Sequence, residues 1–156
     1  IFVMAPDDPV NTAKVRIFFP TAEIPFAGHP TVGCAILLAS QKNKGGCSFE
    51  TEIRLEEVAG LVPVKVSRIG EVPRAMFTAP VTPFAVDVPH PSNGEIARAL
   101  SLDPADIGFG SHQPRLHQGG PRCLHVPVAS RAALARSRPL EPHWSKLIQP
   151  LGTDMA

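Results

Sequence analysis

Proline constrains this chain more than any other residue. Eighteen of its 156 residues are proline, spread along the whole length instead of massed in one linker, and twelve glycines accompany them. Each proline fixes φ and removes an amide donor. Prolines spread this way break the chain into short elements and favour strands and tight turns over long helices. With 156 residues the chain has the size of one domain or of two small lobes, enough to bury a core. Its hydrophobic content of 44% and charged content of 19% are those of a globular protein. The 15 Lys and Arg against 14 Asp and Glu leave a net charge of +1, and no basic stripe tracks along the sequence, so nucleic acid is not an expected partner. The longest apolar run, residues 32–39, is far short of the roughly 20 residues that cross a bilayer, and no leader pattern opens the chain. A cytoplasmic protein without membrane partners is expected.

Cys34, Cys47 and Cys123 are odd in number and form no C-x-x-C pair, so reduced thiols are expected, without a disulfide or zinc site. His112, His117 and His125 lie close in sequence, but the spacing of the first two suits neither a helix face nor a strand face; no metal is expected. There is no P-loop, no G-x-S-x-G elbow and no indicated triad.

Ile1-Phe2-Val3-Met4 reads as a strand, Pro6-Asp7-Asp8-Pro9 as a turn, and residues 13–19 (A-K-V-R-I-F-F) as a second strand with Val15, Ile17 and Phe19 on one face. Residues 30–40 (P-T-V-G-C-A-I-L-L-A-S) have no polar face, which predicts a helix enclosed by protein. Its small residues Gly33, Cys34, Ala35 and Ala39 would let neighbouring backbone approach closely. Cations and the glycines Gly45 and Gly46 follow where a helix ends. Strand-like runs come next at 47–51, 61–67 (Val62, Val64 and Val66 on one face) and 75–78. Residues 80–91 are proline-punctuated extended chain, a crossing between lobes. Ser92-Asn93-Gly94-Glu95 has capping-box spacing and opens a helix. Residues 122–128 read as a strand, Ser130 caps a helix, and 141–148 read as another.

The densest stretch is Glu23 to Gly33, E-I-P-F-A-G-H-P-T-V-G. Pro30 is expected at the first helical position, where its missing amide costs nothing. The free amides of the first turn then point toward Gly28 and His29, an end that attracts a carboxylate or phosphate. Gly28 allows close approach of a ligand. His29 supplies the side-chain type that changes charge nearest neutral pH. The residues alone also permit plainer readings: a tight strand-to-helix turn, His29 as a cap, and Glu23 as a solvated loop carboxylate.

The run V-R-I-F-F-P-T-A-E-I-P-F-A-G-H-P-T-V-G, from Val15 to Gly33, resembles the signature of the phenazine-biosynthesis PhzF-like family, R-I-F-T-P followed by E-[LI]-P-F-A-G-H-P-T-[LV]-G. The segments F-E-T-E-I-R-L-E-E-V-A-G-L-V-P-V from Phe49 and G-G-P-R-C-L-H-V-P-V from Gly119 look like later family segments. The resemblance implies an α+β, diaminopimelate-epimerase-like fold: a curled, mostly antiparallel sheet around a central buried helix, in two similar lobes. Here the first lobe would span 1–82, and 83–156 would hold the crossing and an incomplete second lobe. It implies isomerase chemistry by acid/base proton transfer on a small carboxylated, possibly cyclic substrate, without metal or organic cofactor. His29 would be the catalytic histidine, and Ala27, Gly28, Pro30 and Thr31 would bind substrate; a homodimer is the candidate assembly. The family's catalytic glutamate lies in an L-S-E-T-x-F-V segment, whereas this chain opens at Ile1-Phe2-Val3, and the family's D-x-A-T-G-S loop has no match. The chain therefore looks like an internal fragment, expected to be inactive or feeble alone. True epimerases carry C-G-N-G where this chain has Ala27-Gly28-His29-Pro30, with Cys34 displaced into the helix. The alternatives are a non-catalytic binding relic of the same fold and, more remotely, an amino-acid epimerase.

Overall fold

The computed structural model describes residues 1–19, 22–44, 48–89 and 91–152. Pro20, the glycines Gly45 and Gly46 and the expected strand start at Cys47 lie outside them. The chain divides into two compact units, Ile1–Thr82 and Pro83–Ala156.

Among the described residues, the first unit is a six-stranded sheet with one helix. Strands β1 (Phe2–Met4) and β2 (Ala13–Phe18) form the expected antiparallel hairpin, with Val3 opposite Val15. A two-residue strand β3 (Glu23–Ile24) folds back on β2, Ile17 facing Ile24 and Phe18 facing Glu23. It is too short and too closely flanked by prolines for periodicity to reveal. Helix α1 (Gly28–Lys42) leads into β4 (Phe49–Glu57), β5 (Gly60–Ile69) and β6 (Val72–Phe77), an antiparallel meander. The order is β1-β2-β4-β5-β6, and β2 runs parallel to β4 through Ala13 with Leu55 and Lys14 with Glu56.

Alternation builds the core. Val62, Val64 and Val66 of β5 and Ile53 and Leu55 of β4 are wholly buried, together with Val15, Ile17, Ile24, Ala35 and Ala39. Burying each valine, leucine or isoleucine side chain contributes roughly 1.5–3 kcal/mol. Within this unit α1 is buried on one side only: Cys34, Ala35 and Ala39 meet the sheet, while Leu37 is 54% exposed. A Cβ at Gly33 would meet nothing within 4 Å, so that glycine does not serve close backbone packing as expected. Apolarity all round the helix does not specify which side the sheet takes.

The second unit pairs β7 (Phe84–Ala85), β8 (Arg115–Gln118) and β9 (Arg122–His125) in one antiparallel sheet. Its helices are α2 (Asn93–Ala99), α3 (Arg131–Arg136) and α4 (His143–Ile148). Ser92 and Glu95 form the reciprocal capping box at α2, and Ser130 accepts the Ala133 amide at α3. Ile96, Ala97, Ala99, Ile107 and Leu147 form its core.

Candidate active site at the start of helix α1

Proline chemistry and strand pairing together shape this junction. β3 presents Glu23 back across the hairpin to Arg16 of β2, and the two side chains form a bidentate pair at 2.8 and 2.7 Å. Arg16 also stacks over Phe18, 5.0 Å from the ring centre. This hydrogen-bonded guanidinium holds the Glu23 carboxyl below the usual range. Glu23 thus fastens the loop and is committed to a cation.

The chain then turns through Pro25 and Phe26 into α1. Pro25 accepts the Ala59 amide at 2.9 Å, and Phe26 is buried edge-on against Phe77 with ring centres 5.4 Å apart. The helical ladder begins where the Thr31 amide donates to the Ala27 carbonyl at 3.1 Å. Pro30 is therefore the third helical residue, not the first as expected; the missing amide still lies among those that need no intrahelical partner. The amides of Gly28 and His29 precede the ladder. Ala27 is the N-cap in extended conformation and offers no side-chain cap, and the first turn holds no acidic residue along its own sequence. Ser, Thr, Asp or Asn would normally close such an end. Among the described residues no side chain closes this end, where the helix dipole is positive.

His29 is exposed at this end, and Ala27, Gly28 and Pro30 are half-buried. Gly28 lies against the Phe77 ring, where a Cβ would meet Cζ at 3.6 Å, an ordinary contact. Neither fold strain nor crowding demands a glycine here. Thr31 departs from expectation. It is wholly buried, with its hydroxyl 2.8 Å from the Ala27 carbonyl and 2.6 Å from Glu57 Oε1, so it does not offer its side chain to a substrate.

Glu57 is the residue that sequence reasoning missed. It ends β4 on the buried face, 8% exposed, and its Oε2 has no hydrogen-bond partner among the described residues. Burial pushes its carboxyl up, with the Thr31 hydrogen bond opposing. The available signal was alternation, since Ile53, Leu55 and Glu57 share one side of the strand. Its neighbour Glu56 points outward and accepts the Asp7 and Asp8 amides and the Asn11 side chain. Cys34 is buried beneath this end and its thiol is pushed up by desolvation, then by Glu57, the opposite of what a proton-transferring thiolate needs. Among the described residues no three His, Cys, Asp or Glu side chains gather to hold a metal ion, and no helix is long and apolar enough to cross a membrane.

A family model for phenazine biosynthesis-like proteins, PhzC-PhzF, matches residues 1–152. The chain belongs to this family. It is 37% identical over 147 residues to an "uncharacterized isomerase" of Mesorhizobium japonicum, covering 94% of this chain and 47% of that protein. It is 34% identical over 140 residues to the trans-2,3-dihydro-3-hydroxyanthranilate isomerase of Pseudomonas aeruginosa, covering 88% and 45%. The chain spans about half the length of the relatives it matches. Among solved structures it is similar to a "predicted epimerase" of Pseudomonas aeruginosa, with a TM-score of 0.76 and 29% identity over 97% of this chain and 51% of that one. A PhzF-family protein of Bacillus anthracis matches in fold with a TM-score of 0.71 at 21% identity, over 97% and 48%. The α+β, epimerase-like architecture of the PhzF family is thus established for this chain.

Proposed function

We propose that the protein carrying this sequence is an isomerase that moves a proton between two positions of a small, carboxylated, cyclic substrate, without metal or organic cofactor. The observation that carries this reading is the open start of α1, where an uncapped helix end meets an exposed histidine. The substrate carboxylate would accept from the Gly28 and His29 amides, with Ala27 and Pro30 lining the approach. His29 would donate a proton or hydrogen bond to the reacting ring. The family relationship supports a dihydro-hydroxyanthranilate or a similar ring acid as substrate.

No carboxylate of the junction suits the role of base. Glu23 is bound to Arg16, Glu56 holds the 7–11 turn, and Glu57 is buried. We infer that the base is none of these three, and the 156-residue chain alone is expected to be inactive or feeble. The test is turnover of trans-2,3-dihydro-3-hydroxyanthranilate by the full gene product in D2O, with NMR following the position and number of deuterons incorporated. Deuteron transfer is expected, and His29→Ala should lower kcat/KM by about 10²–10⁴-fold. Substrate binding without exchange or turnover would overturn the isomerase reading in favour of a non-catalytic binder.

A further inference from the structure

The Glu57–Thr31–Ala27 chain poses a question of proton supply. Thr31 Oγ1 lies 2.8 Å from the Ala27 carbonyl oxygen and 2.6 Å from Glu57 Oε1. Both neighbours are acceptors when Glu57 is ionised, and a hydroxyl has one hydrogen to give. Two hydrogen bonds require a second proton, and only Glu57 can bring it.

The surroundings agree. An ionised carboxylate with one bare, buried oxygen lacks the pairing that buried charges require. The neutral acid instead leaves Oε2 as a carbonyl oxygen, whose missing partner costs far less. Among the described residues, the cations that line the same surface are engaged elsewhere. The shallow depression that Glu57 also lines holds Asp7, Lys14, Arg16, Glu23 and Glu56, but Lys14 pairs with Asp7 at 2.6 Å and Arg16 with Glu23. From α1 the facing titratable group is Cys34, whose thiol is pushed up by burial.

We propose that Glu57 is a neutral carboxylic acid in the folded protein and a positioning residue for the open end of α1. Glu57 Oε1–H donates to Thr31 Oγ1, and Thr31 Oγ1–H donates to the Ala27 carbonyl, which also receives the Thr31 amide. The Ala27 carbonyl and the Gly28 amide belong to one planar peptide unit. Clamping the oxygen therefore sets where the Gly28 N–H points. A neutral Glu57 also leaves the positive helix end uncompensated, available to an outside anion. This last consequence rests on the carboxylate-binding reading above; the protonation state does not.

The experiment is a pH titration of the 156-residue chain by NMR, with the Glu57 side-chain carbonyl carbon and the Gly28 amide assigned through bonds. Above the ordinary glutamate range the Glu57 carbonyl should still hold its acid-form shift, and where it titrates the Gly28 amide should move in step with it. Glu57→Gln, which donates from an amide at the same place, should keep the Gly28 amide in its position and make it independent of pH; Glu57→Ala should displace it. Glu57 titrating in the ordinary range, or a Gly28 amide blind to its titration, would overturn the proposal. The unaltered protein alone decides this if the variants fail to fold. Benzoate added above the ordinary glutamate range separates the two readings. If it leaves the Gly28 amide unmoved while Glu57 stays protonated, the anion site fails and the neutral acid stands. If it binds while Glu57 titrates normally, the reverse holds.

Discussion

Replacing Gly28 with alanine separates the demands of the fold from those of the ligand. The added Cβ would sit 3.6 Å from Phe77 Cζ, ordinary van der Waals contact, and Gly28 is not among the glycines with positive φ. Alanine is favoured over glycine inside a helix by about 1 kcal/mol, and by less in the first turn. Gly28→Ala should therefore leave stability unchanged or raise it by a few tenths of a kcal/mol. Gly33→Ala is the internal control: its Cβ meets nothing within 4 Å, so it should stabilise by up to about 1 kcal/mol. In the first unit, Ile1–Thr82, that gain corresponds to a Tm rise of about 4–8 °C. Thermal unfolding followed by circular dichroism measures both. If Gly28 is kept for ligand approach, Gly28→Ala should also weaken benzoate binding by about tenfold while Gly33→Ala leaves it alone. A loss of more than about 1 kcal/mol in Gly28→Ala would refute the packing argument, and unaltered binding would refute the approach argument.

Three further outcomes follow from the same geometry. Leu55→Ala, at a position with no exposure in the centre of the first sheet, should cost about 2–5 kcal/mol, read from the urea midpoint of the first unit's transition. Ser92→Ala breaks the capping box of α2 and should cost about 1 kcal/mol, seen as faster hydrogen exchange confined to the second unit. Glu23→Gln acts through pH. Arg16 lowers the Glu23 carboxyl, so the pair's contribution is present above the unfolded value and is lost as pH falls through the folded one. Because the pair is partly exposed, the variant should lose little stability at neutral pH, but its stability should fall less on acidification.

Much of the fold was legible because its determinants are local. A strand's inward face shows as every second residue, so Val62, Val64 and Val66 declared theirs, and Ser92 with Glu95 declared a helix start three residues apart. The strand-to-helix turn was legible as well, since Gly28, His29 and Pro30 all fall in the first turn of α1, though Pro30 stands third in it and not first. What sequence alone left open depends on partners far along the chain. Whether Glu23 is a free carboxylate is decided by β3 folding onto β2, which delivers Arg16 to it. Whether Thr31 faces a ligand is decided by β4 ending beneath α1, which places Glu57 against its hydroxyl. Glu56 and Glu57 are adjacent and chemically identical, yet one holds backbone amides at the surface and the other is buried with one oxygen bare. Sequence determined the alternation that puts them on opposite faces. Only the tertiary structure decided which groups the inner one meets, because charge state depends on what surrounds a group in space, and those neighbours come from strands and helices scattered along the chain.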